Sequence, residues 1–121
     1  CLSNRQVAMA LVDEAAQAIE AETLLLFPHA PQRLLLVGDP NQLTASVVSP
    51  DSAERGWGRS MMARLFAAGS EHWMLEEQHR MAPEIVIFPS RQFYGDRLQN
   101  AQCVVDAQAS DVLAAASASH W

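Results

Sequence analysis

An open α/β sheet is the fold class that this sequence predicts, on three observations. Short apolar runs alternate with helix-favouring stretches in the order strand, helix, strand, helix, strand. Each apolar run leads into a polar signature: Asp13-Glu14-Ala15-Ala16-Gln17, Gly38-Asp39-Pro40-Asn41-Gln42-Leu43 and Gln78-His79-Arg80-Met81. In such sheets ligands sit at the carboxyl ends of strands, and that is where all three signatures fall.

Taken in order, Val7 to Val12 has the uninterrupted apolar character of an inner parallel strand. Asp13 begins a helical stretch, because Ala15, Ala16, Ala18, Ile19, Ala21 and Leu24 favour helix and the acidic pair suits a helix N-terminus. Pro28 and Pro31 break the chain before a second strand, Arg33 to Val37. Gly38-Asp39-Pro40 ends that strand in a tight turn. A polar loop is expected from Thr44 to about Gly58. Ser60 reads as the cap of a helix through Met61, Met62, Leu65 and Phe66 that Gly69 closes. Trp73-Met74-Leu75 is a third strand candidate, and a helix is expected over Glu84 to Tyr94 after Pro83. Residues 107–121 are rich in Ala and Ser and read as a linker or tail. The two strands are expected to be parallel neighbours or near neighbours, with Glu14 and Gln42 at one edge of the sheet.

Composition narrows the function classes. The sequence has 121 residues, 50% apolar and 18% charged, enough for a globular core. With a net charge of −6 it lacks a generally basic surface for nucleic-acid backbones, so any such contact is local or lies in other parts of a longer protein. Every basic residue is Arg; without a Lys these residues contain no Walker A phosphate loop. Cys1 and Cys103 form no ligand pattern with His29, His72, His79 or His120, so zinc is not expected and both thiols are read as unpaired. Nothing near the first residue joins basic residues to a long apolar run, and an intracellular setting without a membrane span is expected, nucleus or cytoplasm alike.

The chemistry follows from residue types. Asp13 at a strand end suits a hydrated magnesium ion, and Glu14 beside it can polarise an attacking water. Gln42 can both donate to a γ-phosphate and accept from water. Arg80 can act as an arginine finger, neutralising the charge that phosphoryl transfer develops. Each has a plainer alternative. Asp13 and Glu14 can simply cap a helix; Gly38 to Asn41 is also an ordinary turn in which Asp bonds its own backbone; Arg80 can pair on the surface with Glu76 or Glu77. Met61, Met62 and Met81 read as core fillers.

From Cys1 to about Asn100 the sequence resembles superfamily 1 helicases of the nonsense-mediated-decay and senataxin type. The matching stretches are Leu11 to Glu20, Leu36 to Leu43, Leu75 to Ile85 and Phe88 to Leu98. The resemblance implies a partial RecA-like P-loop NTPase fold, with ATP and Mg2+ as cofactors and single-stranded RNA or DNA as the track. On this mapping Glu14, Gln42 and Arg80 are catalytic. Asp13, Gln17, Gly38, Asp39 and Gln78 surround the nucleotide, with Asp13 holding the metal. Thr44 stands where the family usually has Pro, and His79 where decay-type members commonly have Tyr.

The implied organisation is the C-terminal part of a first RecA-like domain over 1–77, the start of a second over 78–106, and the tail. The remainder of both domains would be the chain's nearest partner. The parent would couple ATP hydrolysis to translocation and unwinding, while the isolated chain, lacking the phosphate loop, would be inactive. A non-catalytic remnant acting as an interaction module is the alternative, and an acidic metal-dependent nuclease a third reading.

Overall fold

The computed structural model describes residues 6–107 and divides into two compact units, Cys1–His72 and Trp73–Trp121. In the first, β1 (Met9–Val12) and β2 (Arg33–Leu36) run parallel, with Met9 opposite Arg33 and Val12 opposite Leu36. Parallel strands cannot be joined by a hairpin. The crossover here runs through α1 (Glu20–Leu24) and a 3-10 turn at Phe27–His29, whose Pro28 occupies a position where a missing N–H costs nothing. The expected parallel pairing is therefore present.

The helix expected from Asp13 is not. Residues 13–18 form turns, and α1 begins only at Glu20. Two backbone facts explain the delay. Glu14 has φ 50°, in the left-handed region that a continuing helix excludes. Ala15 donates its N–H to the Val37 carbonyl at 2.8 Å, tying this segment to the neighbouring strand end. Ala15 and Ala16 are both buried, and their backbone nitrogens lie beside Gly38 at the end of the neighbouring strand. Where α1 does start, the Glu22 carboxylate accepts from the Ile19 N–H at 2.9 Å; Ile19 offers no side-chain acceptor in return.

The expected polar loop from Thr44 to Gly58 contains a short helix, α2 (Pro50–Glu54). Ser49 caps it by accepting from the Ser52 N–H, and Pro50 pre-sets the first turn. The capped helix expected after Ser60 is α3 (Met61–Ala67): Ser60 Oγ accepts from the Ala63 N–H at 3.0 Å, and Gly69, at φ 75°, follows its end. Arg64 on α3 grips Glu20 on α1, with Nε 2.9 Å from each carboxylate oxygen and Nη2 2.7 Å from one. Met61 is buried and Met62 half-buried.

In the second unit Trp73 to Leu75 is irregular, with Trp73 and Leu75 81% and 87% exposed, so the third strand was expected too early. The strand is instead β3 (Glu77–Gln78), because that is where a ladder partner exists: β4 (Gln99–Asn100) lies parallel to it, Gln78 opposite Asn100. Gln99 N–H donates to the Glu76 carbonyl at 2.7 Å and Ala101 N–H to the Gln78 carbonyl at 3.0 Å. Between them runs α4 (Pro83–Phe93), close to the expected helix. It stops where Gly95 and Asp96 both turn left-handed, at φ 60° and 61°. Ser90, buried near this end, accepts from Asp96 N–H through its carbonyl and from Leu98 N–H through its hydroxyl, which turns the chain toward β4. Met81 is half-buried and Cys103 is a free, exposed thiol; Cys1, and the expected tail beyond Ala107, lie outside the described residues.

Candidate functional site: an acidic sheet edge and an arginine turn

Because β1 and β2 are parallel and in register, both end at the same edge of their sheet. Val37 N–H donates to Val12 carbonyl and Ala15 N–H to Val37 carbonyl, each at 2.8 Å, which stitches the segment after β1 to the segment after β2. The structure thus brings together Asp13, Glu14 and Gln17 with Gly38, Asp39 and Gln42.

Short-range bonds orient these side chains. Asp13 Oδ1 accepts from the Glu14 N–H at 2.9 Å, and Glu14 Oε2 accepts from the Gln17 amide at 3.1 Å. Asp39 Oδ1 accepts from Asn41 N–H at 2.9 Å, while Gln42 donates its amide to Asp39 Oδ2 at 2.8 Å. The plainer reading of this turn is thus true of Asp39, whose carboxylate does fold its own loop. The plainer reading of Asp13 and Glu14 does not hold, since no helix begins there. Asp13, Glu14, Gln17 and Gln42 are all exposed.

Gly38 is the contact point of the two segments. A Cβ there would lie 2.9 Å from Ala15 N, 3.2 Å from Ala16 N and 3.2 Å from Met62 Sδ. Only glycine lets the backbones approach this closely.

Among the described residues no three His, Cys, Asp or Glu side chains gather into a metal cage. A magnesium ion needs none, since it keeps most of its water and takes one or two carboxylates plus phosphate oxygens. The exposed Asp13 carboxylate fits that requirement.

The second unit holds the other two expected residues on one turn. Gln78 Oε1 accepts from the N–H groups of Arg80 at 2.9 Å and Met81 at 2.7 Å. Its Nε2 donates to the Met81 carbonyl at 2.7 Å and to Asn100 Oδ1 at 2.6 Å. The Gln78 amide, placed beside the nucleotide by resemblance, is spent here on the protein. The surface pairing considered for Arg80 is not formed with Glu76, which lies 3.3 Å from Arg97 instead. Among the described residues Arg80 makes no ion pair, and it is exposed. Sequence reasoning missed Asn100, which becomes visible only once β4 is paired with β3.

Family profiles described as an AAA domain match residues 1–50 and 57–120. These matches define the class as a P-loop NTPase. The chain is 46% identical over 98 residues to the Probable helicase MAGATAMA 3 of Arabidopsis thaliana, covering 81% of this chain and 12% of that protein. It is 41% identical over 100 residues to the Probable helicase senataxin of Homo sapiens, covering 74% of this chain and 4% of that protein. To a Regulator of nonsense transcripts 1 homolog of Drosophila melanogaster it is 37% identical over 105 residues, covering 87% of this chain and 9% of that one. The chain therefore belongs to the superfamily 1 helicases of the nonsense-mediated-decay and senataxin type. It spans from 4% to 12% of the length of these three relatives.

Proposed function

We propose that this chain is the part of an ATP-driven helicase motor that supplies the water-activating acid edge and the arginine for phosphoryl transfer. On this reading the fold is a partial RecA-like one, with 1–77 from the first such domain and 78–106 from the start of the second. The observation that carries it is the register of β1 and β2, which sets Asp13, Glu14 and Gln42 at one sheet edge.

Magnesium, when bound with ATP, supplies positive charge on the phosphate oxygens. Asp13 would hold the hydrated ion through its exposed carboxylate. Glu14 accepts a proton from the attacking water, and its bond to the Gln17 amide keeps the carboxylate turned to one side. Gln42 spends one amide hydrogen on Asp39, which leaves its carbonyl oxygen to accept from that water and its second hydrogen for phosphate. Arg80 neutralises the charge that develops on the transferred group.

The open apolar face of the sheet supports a longer parent. Met9 and Leu11 on β1 are each 56% exposed and Leu35 on β2 43%, whereas inner parallel strands are covered on both faces. The rest of the RecA-like domains, which also brings the Lys-bearing phosphate loop, is the proposed cover; the isolated chain neither holds ATP tightly nor turns it over. Among the described residues no helix is long and apolar enough to cross a membrane, and an intracellular motor moving on single-stranded RNA or DNA is the proposed setting.

The test is ATP hydrolysis stimulated by a single-stranded oligonucleotide in the full-length protein carrying Asp13→Asn. Loss of magnesium-supported turnover is expected. Turnover at the unsubstituted rate would remove Asp13 from the mechanism, and no stimulated turnover in the unsubstituted protein would favour a non-catalytic interaction module instead.

A further inference from the structure

We infer that Asn100 is a positioning residue for Arg80, acting through the side-chain amide of Gln78. The inference rests on the hydrolytic role proposed above for Arg80.

A primary amide offers two acceptor positions on oxygen and two donor hydrogens on nitrogen. Gln78 uses all four: Arg80 and Met81 N–H groups on Oε1, Met81 carbonyl and Asn100 Oδ1 on Nε2, between 2.6 and 2.9 Å. The turn from Gln78 to Met81 is therefore closed by a side chain. Its stability depends on which way that amide faces, because a flipped amide would point N–H groups at the N–H groups of Arg80 and Met81.

Three of the four partners are backbone groups, the N–H of Arg80 and the N–H and carbonyl of Met81, and they set the sense of the amide. Asn100, opposite Gln78 in the β3/β4 register, supplies the fourth bond and is the one partner from outside the turn, so it ties the Gln78 amide, and the turn that amide closes, to β4. Both side chains are half-buried, which limits how well water can replace these bonds. Arg80 itself is exposed and has no ion pair among the described residues, so what the protein fixes is the point from which its side chain departs, through the backbone N–H held by Gln78. An error of about 1 Å in placing a catalytic group is enough to cost on the order of 10²-fold in rate.

The experiment uses the full-length protein and ATP hydrolysis stimulated by a single-stranded oligonucleotide. Asn100→Ala removes the acceptor. Asn100→Val removes it while keeping strand propensity, should the smaller side chain fail to fold. Asn100→Asp keeps an oxygen for Nε2. In the first two, kcat is expected to fall by about 10-fold to 10²-fold with KM for ATP changed by less than about 3-fold, and Asp is expected to restore most of the loss. In an Arg80→Ala background, adding Asn100→Ala is expected to lower the rate no further, because residues acting as one unit are not additive. Normal kcat in Asn100→Ala beside a crippled Arg80→Ala would overturn the positioning role and leave the hydrolytic reading intact. An additive loss in the double variant would overturn it too. Normal turnover in Arg80→Ala alone would overturn the hydrolytic reading, and the positioning role with it.

Discussion

The two units hold their candidate site residues by opposite means. At the acidic edge each restraint is short in sequence: Asp13 to the next residue, Glu14 to Gln17, Asp39 to Asn41 and Gln42. What brings the two stretches together is backbone, namely the β1/β2 ladder and the Ala15 to Val37 bond. At the arginine turn the decisive restraint is a side-chain pair, Gln78 with Asn100, separated by 22 positions. A carboxylate that must bind an ion and meet a water tolerates an exposed, locally tethered setting. An arginine that acts at the transition state gains from a turn locked at a distance.

The comparison predicts a hierarchy of losses in the full-length protein. Arg80→Ala should have the largest effect, lowering stimulated hydrolysis by about 10³–10⁵-fold, with Lys rescuing only part because a point charge lacks the guanidinium fork. Steady-state kinetics of the two variants measures both. A Lys variant as active as the parent would show that charge alone suffices, and the rigid turn would lose its purpose.

Substitution at the backbone contact should come next and should act on structure. In Gly38→Ala the added methyl meets main-chain nitrogen at 2.9 Å, so the segments after β1 and β2 must part. Overpacking of this kind costs about 1–3 kcal/mol. A lowered melting temperature together with weakened hydrolysis is expected; an unchanged melting temperature would mean that the edge is not closed through Gly38.

The smallest effect belongs to the Arg64–Glu20 pair, which joins α1 to α3 away from the edge. The Arg64 hydrogen bond holds the Glu20 carboxyl below the usual glutamate range against the opposing effect of desolvation, with lesser help from the charges of Arg64 and Arg59. A depressed folded pKa stabilises above the unfolded value and fades as pH falls through the folded one. Glu20→Gln should therefore melt slightly lower than the parent near neutral pH, and the two should converge in acid below the ordinary glutamate range of about 4.3. The pair is partly exposed, which keeps the difference small. Melting curves across that range decide it, and a constant offset down to strongly acid pH would deny the ion pair its role.

Much of the first unit was legible because its signals are local. The apolar runs predicted β1 and β2, Ser60 and Gly69 bounded α3, and the acidic pair and Gln42 stood at strand ends. Propensity misled where tertiary structure overrode it: Ala15 and Ala16 favour helix, yet Glu14 turns left-handed and Ala15 bonds the neighbouring strand. In the second unit Trp73-Met74-Leu75 has strand composition but pairs with no strand among the described residues, while Glu77-Gln78 and Gln99-Asn100 have little strand character and pair. A strand of two residues carries no periodicity to read. The role of Asn100 depends on that pairing, so no motif announced it.

The most direct measurement is a paired one on full-length Glu14→Gln: ATP binding with magnesium, and single-turnover hydrolysis with a single-stranded oligonucleotide bound. Removing a proton acceptor while keeping side-chain shape should leave nucleotide affinity within about 3-fold and lower the chemical step by about 10²–10⁴-fold. Hydrolysis near the parent rate, with binding intact, would contradict the assignment of Glu14 and with it the catalytic role of the acidic edge.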